Sequence, residues 1–340
     1  MERVRYLPAM AVASVEEDQT DAEARRARGE FVRGLSGFRH AIGDRDFPPE
    51  ASRYHLFVAL NCPWCHRVTL ARAVLGLSDA VTLDVVFPNR TGKSDPAGEG
   101  LWEFAPTRIA SVTGAALPDC TRDTGTGRDM RLVVDIYRAE GAEEKSLPIL
   151  YDKVARRIVS NESAEIVRML SVHASALGGM GDLYPEGLRD DIEALNVRIY
   201  TDINNGAYKA GFSSDQSVYA AAFEAYFAAL DWLEDILSDG RPFLTGTTFT
   251  EADLRLFPTL YRHDPVYYLR MKLNAARILD YPHLWRWLSR VYGKPGVAEA
   301  GSLVHCRQGY FGRSWNGTVP LGPRRPMTYP EAYRQPDLAR

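Results

Sequence analysis

The sequence contains few cysteines for its length. Four cysteines in 340 residues, at positions 62, 65, 120 and 306, are too few to cross-link a chain of this size. The chain is long enough to bury a hydrophobic core, which excludes a small scaffold that depends on disulfides. The close pair Cys62 and Cys65 therefore indicates redox chemistry or metal binding.

The sequence also lacks an excess of one charge and a long apolar run near its start. It has 41 basic and 44 acidic residues, and the net charge of −3 lacks the basic excess that binding to nucleic-acid phosphates requires. The first fourteen residues contain an apolar run too short for a signal peptide or a membrane span. We expect a cytoplasmic protein with neither a nucleic-acid nor a membrane partner.

Residues 47–172 have the pattern of an α/β domain. The apolar segment 54–60 predicts a buried strand that runs into a turn at Asn61, and a helix with proline near its first turn then ends at Gly76. Further strands and helices give the predicted order β-α-β-α-β-β-α. The segment 88–128 has no regular period and is predicted to be a long loop.

Residues 185–319 have the pattern of an all-helical domain. Apolar residues recur there at helical spacing over several long segments, and Thr250 with Asp253 predicts a capping box. The charged segment 1–46 is predicted to be an N-terminal extension, and the proline-rich residues 320–340 an extended tail. The predicted fold class is α/β followed by all-α.

The turn Cys62-Pro-Trp-Cys65 is the strongest candidate for a reactive site. Cys62 falls where the helix begins, so that free backbone N–H groups and the helix dipole can stabilise a thiolate, helped by His66 and Arg67. A zinc half-site is one alternative, but no second cysteine pair follows at ligand spacing. Inert buried thiols are the other alternative, and the pattern favours a reactive thiol at Cys62.

Two further motifs have both a functional and a structural interpretation. Pro148 opens a strand and leaves the backbone of Leu147 extended for a peptide-like ligand, although an ordinary strand-opening proline is the alternative. Glu162 and Ser163 begin a helix, where they suit the ammonium and the carboxylate of an amino acid. Simple capping is the alternative there, with Asn161 or Ser163 as the N-cap residue and Glu162 as an acidic residue of the first turn, and the local sequence alone favours it.

In their combination and order, these motifs resemble those of the glutathionyl-hydroquinone reductases, the Xi class of glutathione transferases. The matching segments are NCPWCHR, LPILYDK, IVSNESAEI, INNGAYKAGF, TEADLRLF, HDPVYY and DYPHLW. The resemblance extends from about Phe31 to Pro323. It implies a thioredoxin-like N-terminal domain that binds glutathione, an all-helical C-terminal domain that walls the acceptor site, and a homodimer.

The resemblance also implies roles for individual residues. Cys62 would be the catalytic cysteine, and the cosubstrate glutathione would be held by Trp102, Leu147, a cis Pro148, Glu162 and Ser163. The pocket for a small aromatic or quinone-derived thioether would be lined by Tyr208, Tyr267 and Tyr310. Tyr208 and Tyr267 would supply the proton that the leaving carbon needs. A core aromatic is the alternative for each of the three tyrosines.

The sequence departs from the family pattern in three places. Cys65 stands where the family motif CPWA has alanine. Shortly before the Leu-Pro turn the family has an arginine, whereas Lys145 is the only basic residue here. Near the C-terminus, RQGYFGRSW stands in place of the family motif HYYxSH. Cys65 is therefore either a resolving cysteine or a buried small residue.

The expected function is the reduction of glutathionyl-hydroquinone-type conjugates through a mixed disulfide on Cys62, without a metal. A second glutathione or Cys65 would resolve that disulfide. Three alternatives remain open: a dithiol disulfide oxidoreductase or deglutathionylase, a transferase that uses another low-molecular-weight thiol, and a non-catalytic module of the transferase fold.

Overall fold

The computed structural model describes residues 25–27, 29, 34, 36–104, 117 and 119–312, which form two compact units. The α/β unit takes its described residues from 36–182 and 294–312, and the helical unit takes them from 25–34 and 183–293. The predicted tail and most of the predicted N-terminal extension lie outside the described residues. Each unit is thus assembled from stretches that are distant in sequence.

A four-stranded sheet in the order β2-β1-β3-β4 is the centre of the α/β unit. β1 pairs in parallel with β2, whereas β3 is antiparallel to both β1 and β4. The strands are β1 (Tyr54–Val58), β2 (Thr82–Val85), β3 (Ile149–Asp152) and β4 (Arg157–Ser160). The helices of this segment are α1 (Pro63–Val74), α2 (Val133–Arg138) and α3 (Ser163–Val172). This order confirms the predicted β-α-β-α-β-β-α arrangement and the thioredoxin-like fold.

The local sequence explains the connection from β1 to α1. All five residues of β1 are buried, as expected for a central strand whose two faces are covered and whose side chains therefore need not alternate in polarity. Pro63 occupies the first helical position, where a missing N–H costs nothing. Gly76 follows the helix with φ +67°, in the left-handed region that glycine adopts most easily.

The loop after β2 is anchored by the buried Thr91 side chain and by a backbone hydrogen bond. The Thr91 hydroxyl donates to Gly98 O at 2.7 Å and accepts from Leu101 N at 2.9 Å. Phe87 N donates to Glu103 O at 2.9 Å, which ties the far end of this stretch back to the end of β2. These bonds fix residues 87–104, whereas residues 105–116 of the predicted long loop lie outside the described part of the chain.

The second unit is helical, as predicted. Its main helices are α4 (Arg189–Arg198), α5 (Asn205–Phe212), α6 (Gln216–Leu237), α7 (Glu251–Arg262) and α8 (Pro282–Tyr292). Two π-helical turns, Ile199–Asn204 and His263–Tyr267, lie between these helices. The capping box is confirmed, since Thr250 N donates to the Asp253 carboxylate at 3.0 Å and Thr250 Oγ1 lies 3.4 Å from it.

The last helix among the described residues, α9 (Leu303–Phe311), belongs to the α/β unit. The hydroxyl of Thr69 in α1 donates to Ala300 O at 2.7 Å, just before α9 begins. The predicted helical domain of residues 185–319 therefore differs from the structure, in which residues 294–312 group with the α/β unit. The apolar periodicity predicts a helix but does not specify the surface against which it packs.

Among the described residues, no helix has the length and apolar character that crossing a membrane requires.

Candidate active site

Cys62 lies in the turn between β1 and α1 and is the N-cap residue of α1. Its backbone is extended (φ −83°, ψ 123°), and its N–H donates to Ala59 O at 2.9 Å. The sulfur is half-buried and lies 3.9 Å from Leu147 O, whereas Cys65, Cys120 and Cys306 are all buried. The structure therefore presents one reachable thiol at a helix N-terminus, where the dipole favours a thiolate.

Cys65 lies one turn further along α1, in a different environment. It is fully buried, and its Sγ accepts a hydrogen bond from Ala59 N at 3.3 Å. The residue thus fastens the end of β1 to α1. Neither thiol forms a disulfide. Such an environment is expected for a buried small residue, and the role of Cys65 as a resolving cysteine stays a prediction.

The Leu147–Pro148 turn lies beside the candidate nucleophile. The peptide bond between these residues is cis, as the resemblance implies, and both side chains are buried. The Leu147 carbonyl is the group that faces Cys62 Sγ. The structure thus brings Cys62 and Leu147 together, while Lys145, two residues earlier, is exposed.

Glu162 is the N-cap residue of α3. Its carboxylate accepts from Ala164 N at 3.2 Å, from the Ser163 hydroxyl at 3.4 Å and from the Ser36 hydroxyl at 3.1 Å. The capping alternative named Asn161 or Ser163 as the cap, and that assignment is wrong. The Asn161 side chain is engaged elsewhere, since its Oδ1 accepts from Phe38 N at 3.2 Å.

Capping does not prevent Glu162 from binding a ligand. An ionised carboxylate has about four acceptor positions, and Glu162 is half-buried rather than enclosed. Ser163 is buried at the first helical position of α3, where backbone N–H groups gather. This helix start therefore retains the chemistry that suits an amino-acid end.

Trp102 is 5% exposed and is held by its neighbours on two sides. Its carbonyl accepts from Val133 N at 3.0 Å, and the Arg90 guanidinium lies 4.4 Å from the centre of its ring. This cation–π contact fixes the indole and places a positive charge beside it. Sequence reasoning missed Arg90, because the loop that carries it has no periodic pattern to single it out.

Tyr208 and Tyr267 come together in the helical unit. Their ring centres are 6.2 Å apart at 71°, and Phe212 extends the cluster at 5.5 Å from Tyr208. Tyr208 is half-buried at its position in α5, whereas Tyr267 is fully buried in the π-turn. Tyr310 is half-buried on α9 and belongs to the α/β unit, so the structure does not group all three tyrosines within one unit.

The described residues contain no group of three or more His, Cys, Asp or Glu side chains arranged to hold a metal ion. A reachable cysteine at a helix start, a cis-proline turn facing it and a separate helical unit together define a thiol-dependent transferase fold. The sequence matches the family model "Glutathione S-transferase, N-terminal domain" over residues 61–172. It also matches "Glutathione S-transferase, C-terminal domain" over residues 216–290.

Comparison with similar proteins assigns the chain to one group within the glutathione transferases. The chain is 37% identical over 313 residues to glutathionyl-hydroquinone reductase PcpF of Sphingobium chlorophenolicum, which covers 90% of this chain and 93% of that protein. It is 37% identical over 318 residues to glutathionyl-hydroquinone reductase YqjG of Escherichia coli, with coverage of 89% and 92%.

Solved structures show the same similarity. The glutathione-bound structure of YqjG has a TM-score of 0.75 and 36% identity, covering 87% of this chain and 96% of that one. The Xi-class transferase of Phanerochaete chrysosporium has a TM-score of 0.76 and 36% identity, covering 87% and 94%. The chain therefore belongs to the Xi class of glutathione transferases, the family of the glutathionyl-hydroquinone reductases, as its motifs predict.

Proposed function

We propose that this protein is a glutathione-dependent reductase that removes glutathione from aromatic thioethers of the glutathionyl-hydroquinone type. The observation that carries the proposal is the position of Cys62. Its half-buried sulfur lies at the start of α1, 3.9 Å from the carbonyl that precedes a cis proline. The relatives named as glutathionyl-hydroquinone reductases, which cover nine-tenths of the chain, support the substrate class.

The proposed reaction has two displacement steps. The Cys62 thiolate attacks the sulfur of the conjugate, forming a Cys62–glutathione disulfide as the bond from that sulfur to the aromatic carbon breaks. The carbon keeps the electron pair and takes a proton, which yields the hydroquinone. A second glutathione thiolate then attacks the glutathione sulfur of the mixed disulfide. Glutathione disulfide leaves, and the Cys62 thiolate is restored.

The glutathione moiety would be bound by residues of the α/β unit. The backbone of Leu147 suits its cysteinyl group, because an extended residue before a proline offers backbone groups in strand geometry. Glu162 suits the γ-glutamyl ammonium, and Ser163 with the N–H groups of α3 suits the adjoining carboxylate. Trp102, Pro148 and Lys145 are further proposed contacts.

Tyr208 is the proposed proton donor to the aromatic carbon, with Tyr267 beside it as a second donor and wall. The half-buried Tyr208 can reach a ligand, and the buried Tyr267 fixes the ring of Tyr208 from its edge. Tyr310 is proposed to line the acceptor pocket as well. The family resemblance further supports a homodimer and a cytoplasmic location, of which the first can be tested by light scattering.

Product analysis tests the proposed function. The wild-type protein is mixed with a glutathionyl-hydroquinone and glutathione, and hydroquinone and glutathione disulfide are measured by chromatography. We expect the two products in a 1:1 ratio and at least a roughly 1000-fold loss in Cys62→Ser, because the nucleophile is removed. Cys120→Ala, which alters a buried thiol instead, is the control. Full activity in Cys62→Ser, or turnover only with another thiol in place of glutathione, would contradict the proposal.

A further inference from the structure

The turn that carries Cys62 has a second neighbour in the C-terminal helix α9. The buried Cys306 thiol donates to Leu60 O at 3.7 Å, two residues before Cys62. In the middle of α1, the Thr69 hydroxyl donates to Ala300 O, three residues before α9 begins, at 2.7 Å. α9 thus contacts the turn from a part of the sequence more than 240 residues away.

Gly309 of α9 packs closely against Asn61 of the turn. A Cβ atom added to Gly309 would overlap Asn61 Nδ2 and would lie 2.7 Å from its Cγ and 3.0 Å from its Cβ. Real Cβ atoms essentially never approach other atoms within 3.0 Å. Both atoms that lie under this limit, Nδ2 and Cγ, belong to the amide group of Asn61, and rotating that amide about the Cβ–Cγ bond would leave Cγ where it is.

Asn61 cannot turn away without losing a contact. Its Nδ2 donates to Pro88 O at 3.3 Å, which links the turn to the stretch after β2, and the residue is 8% exposed. Its backbone leads directly into Cys62, whose N–H closes the turn on Ala59 O. A displacement of Asn61 is therefore passed to the N-cap position of α1.

We propose that α9 positions the turn from which Cys62 reacts, and that Gly309 is the positioning residue that permits this contact. Gly309 is an unfavourable residue inside a helix, because alanine at the same place would lose less conformational entropy. The close packing on Asn61 accounts for glycine at this position. The inference rests on the proposed function only in taking Cys62 as the nucleophile.

Alkylation kinetics provide the test. The full-length protein is treated with iodoacetamide between pH 5 and 9, and the modified cysteine is assigned by peptide mass spectrometry. For Gly309→Ala we expect alkylation of Cys62 at pH 6 to slow by at least about threefold. The profile of alkylation rate against pH should also shift to higher pH, because Cys62 is displaced from the helix N-terminus that favours its thiolate. Val304→Ala changes an exposed residue of the same helix and should match the wild type.

A double variant identifies the contact responsible. In an Asn61→Ala background the overlapping atoms Nδ2 and Cγ are absent, so Gly309→Ala should slow alkylation further by no more than about 1.5-fold. If Gly309→Ala alone fails to fold, the Asn61→Ala/Gly309→Ala protein should fold. Circular dichroism and thermal melting establish folding in each case.

Three results would overturn the inference. The first is a folded Gly309→Ala protein in which alkylation of Cys62 slows by less than about threefold. The second is that Gly309→Ala slows alkylation equally in the wild-type and in the Asn61→Ala background. The third is a double variant that fails to fold although Asn61→Ala alone folds. Iodoacetamide needs neither glutathione nor a hydroquinone, so these results stand even if the proposed substrate class is wrong.

Discussion

The two cysteines of the Cys-Pro-Trp-Cys turn differ because of where their sulfurs lie. Cys62 is the N-cap residue of α1, so its half-buried sulfur lies at the N-terminus of the helix. Cys65 lies inside the helix with a fully buried sulfur that accepts a bond from Ala59 N. One position suits a nucleophile, and the other suits packing.

This difference predicts the behaviour of Cys65→Ala. We expect the variant to keep turnover within about twofold of the wild type, since a second glutathione resolves the mixed disulfide. We also expect no Cys62–Cys65 disulfide in the oxidised wild type. Rapid-quench mass spectrometry measures both, with Cys120→Ala as the control. A reversible intramolecular disulfide, together with a longer-lived adduct in Cys65→Ala, would show instead that Cys65 resolves.

The charge of Glu162 is predicted to serve the cosubstrate. Glu162→Gln keeps an oxygen that can cap α3 but removes the negative charge, so KM for glutathione should rise about tenfold or more. The KM for the aromatic conjugate should change less, and so should kcat. Glu165→Gln is the matched control, because Glu165 is in the same first helical turn and pairs with Arg39. Steady-state kinetics measures these constants. An equal change in KM for glutathione in both variants would show that Glu162 serves only as a helix cap.

At the scale of secondary-structure elements, the π-helical turn that contains Tyr267 depends on a buried histidine. His263 Nε2 donates to Ala276 O at 3.0 Å, so Nδ1 is the acceptor for the Tyr226 hydroxyl at 2.8 Å. Burial lowers the pKa of His263 from 6.5 to about 4. The folded protein therefore needs a neutral His263.

Acid should destabilise the fold through this residue. Between pH 6.5 and 4 the unfolded chain binds a proton at His263 that the folded chain does not, so the free energy of unfolding falls as the pH falls. The slope is about 1.4 kcal/mol per pH unit at most. Urea unfolding at pH 7.0 and 5.0 measures the change, and acid should destabilise the wild type more than His263→Asn. His305, whose pKa burial lowers to about 4, and Asp253, whose pKa burial raises to about 6 with the opposite effect on stability, act alike in both proteins. Equal losses in both proteins would contradict the assignment.

The order of elements could be predicted because each local signal agrees with its place in the fold. The unbroken apolar run of β1 indicates a central strand, and Thr250 with Asp253 specifies a helix start that needs no distant partner. The identity of the α3 cap could not be predicted in this way. Glu162 caps the helix because distant Phe38 occupies the Asn161 side chain, and no local pattern records that contact.

At the scale of the whole molecule, no sequence pattern indicates that the chain returns to the α/β unit after the helical unit. The long-range contacts of α9 join residues 300–309 to the turn and helix that begin near Asn61. Helical periodicity is the same whichever unit a helix joins, so it does not predict that α9 groups with the α/β unit. The turn that carries Cys62 is thus in contact with the last described helix of the chain.

The central claim is that Cys62 forms a disulfide with glutathione taken from the aromatic conjugate. Trapping this intermediate tests the claim most directly. Enzyme is mixed with a stoichiometric amount of a glutathionyl-hydroquinone without free glutathione, quenched with acid and analysed by intact and peptide mass spectrometry. We predict one glutathione per chain on Cys62, one equivalent of hydroquinone released, and loss of the adduct when glutathione is added. Hydroquinone released without any adduct on Cys62, or an adduct on another cysteine, would contradict the account.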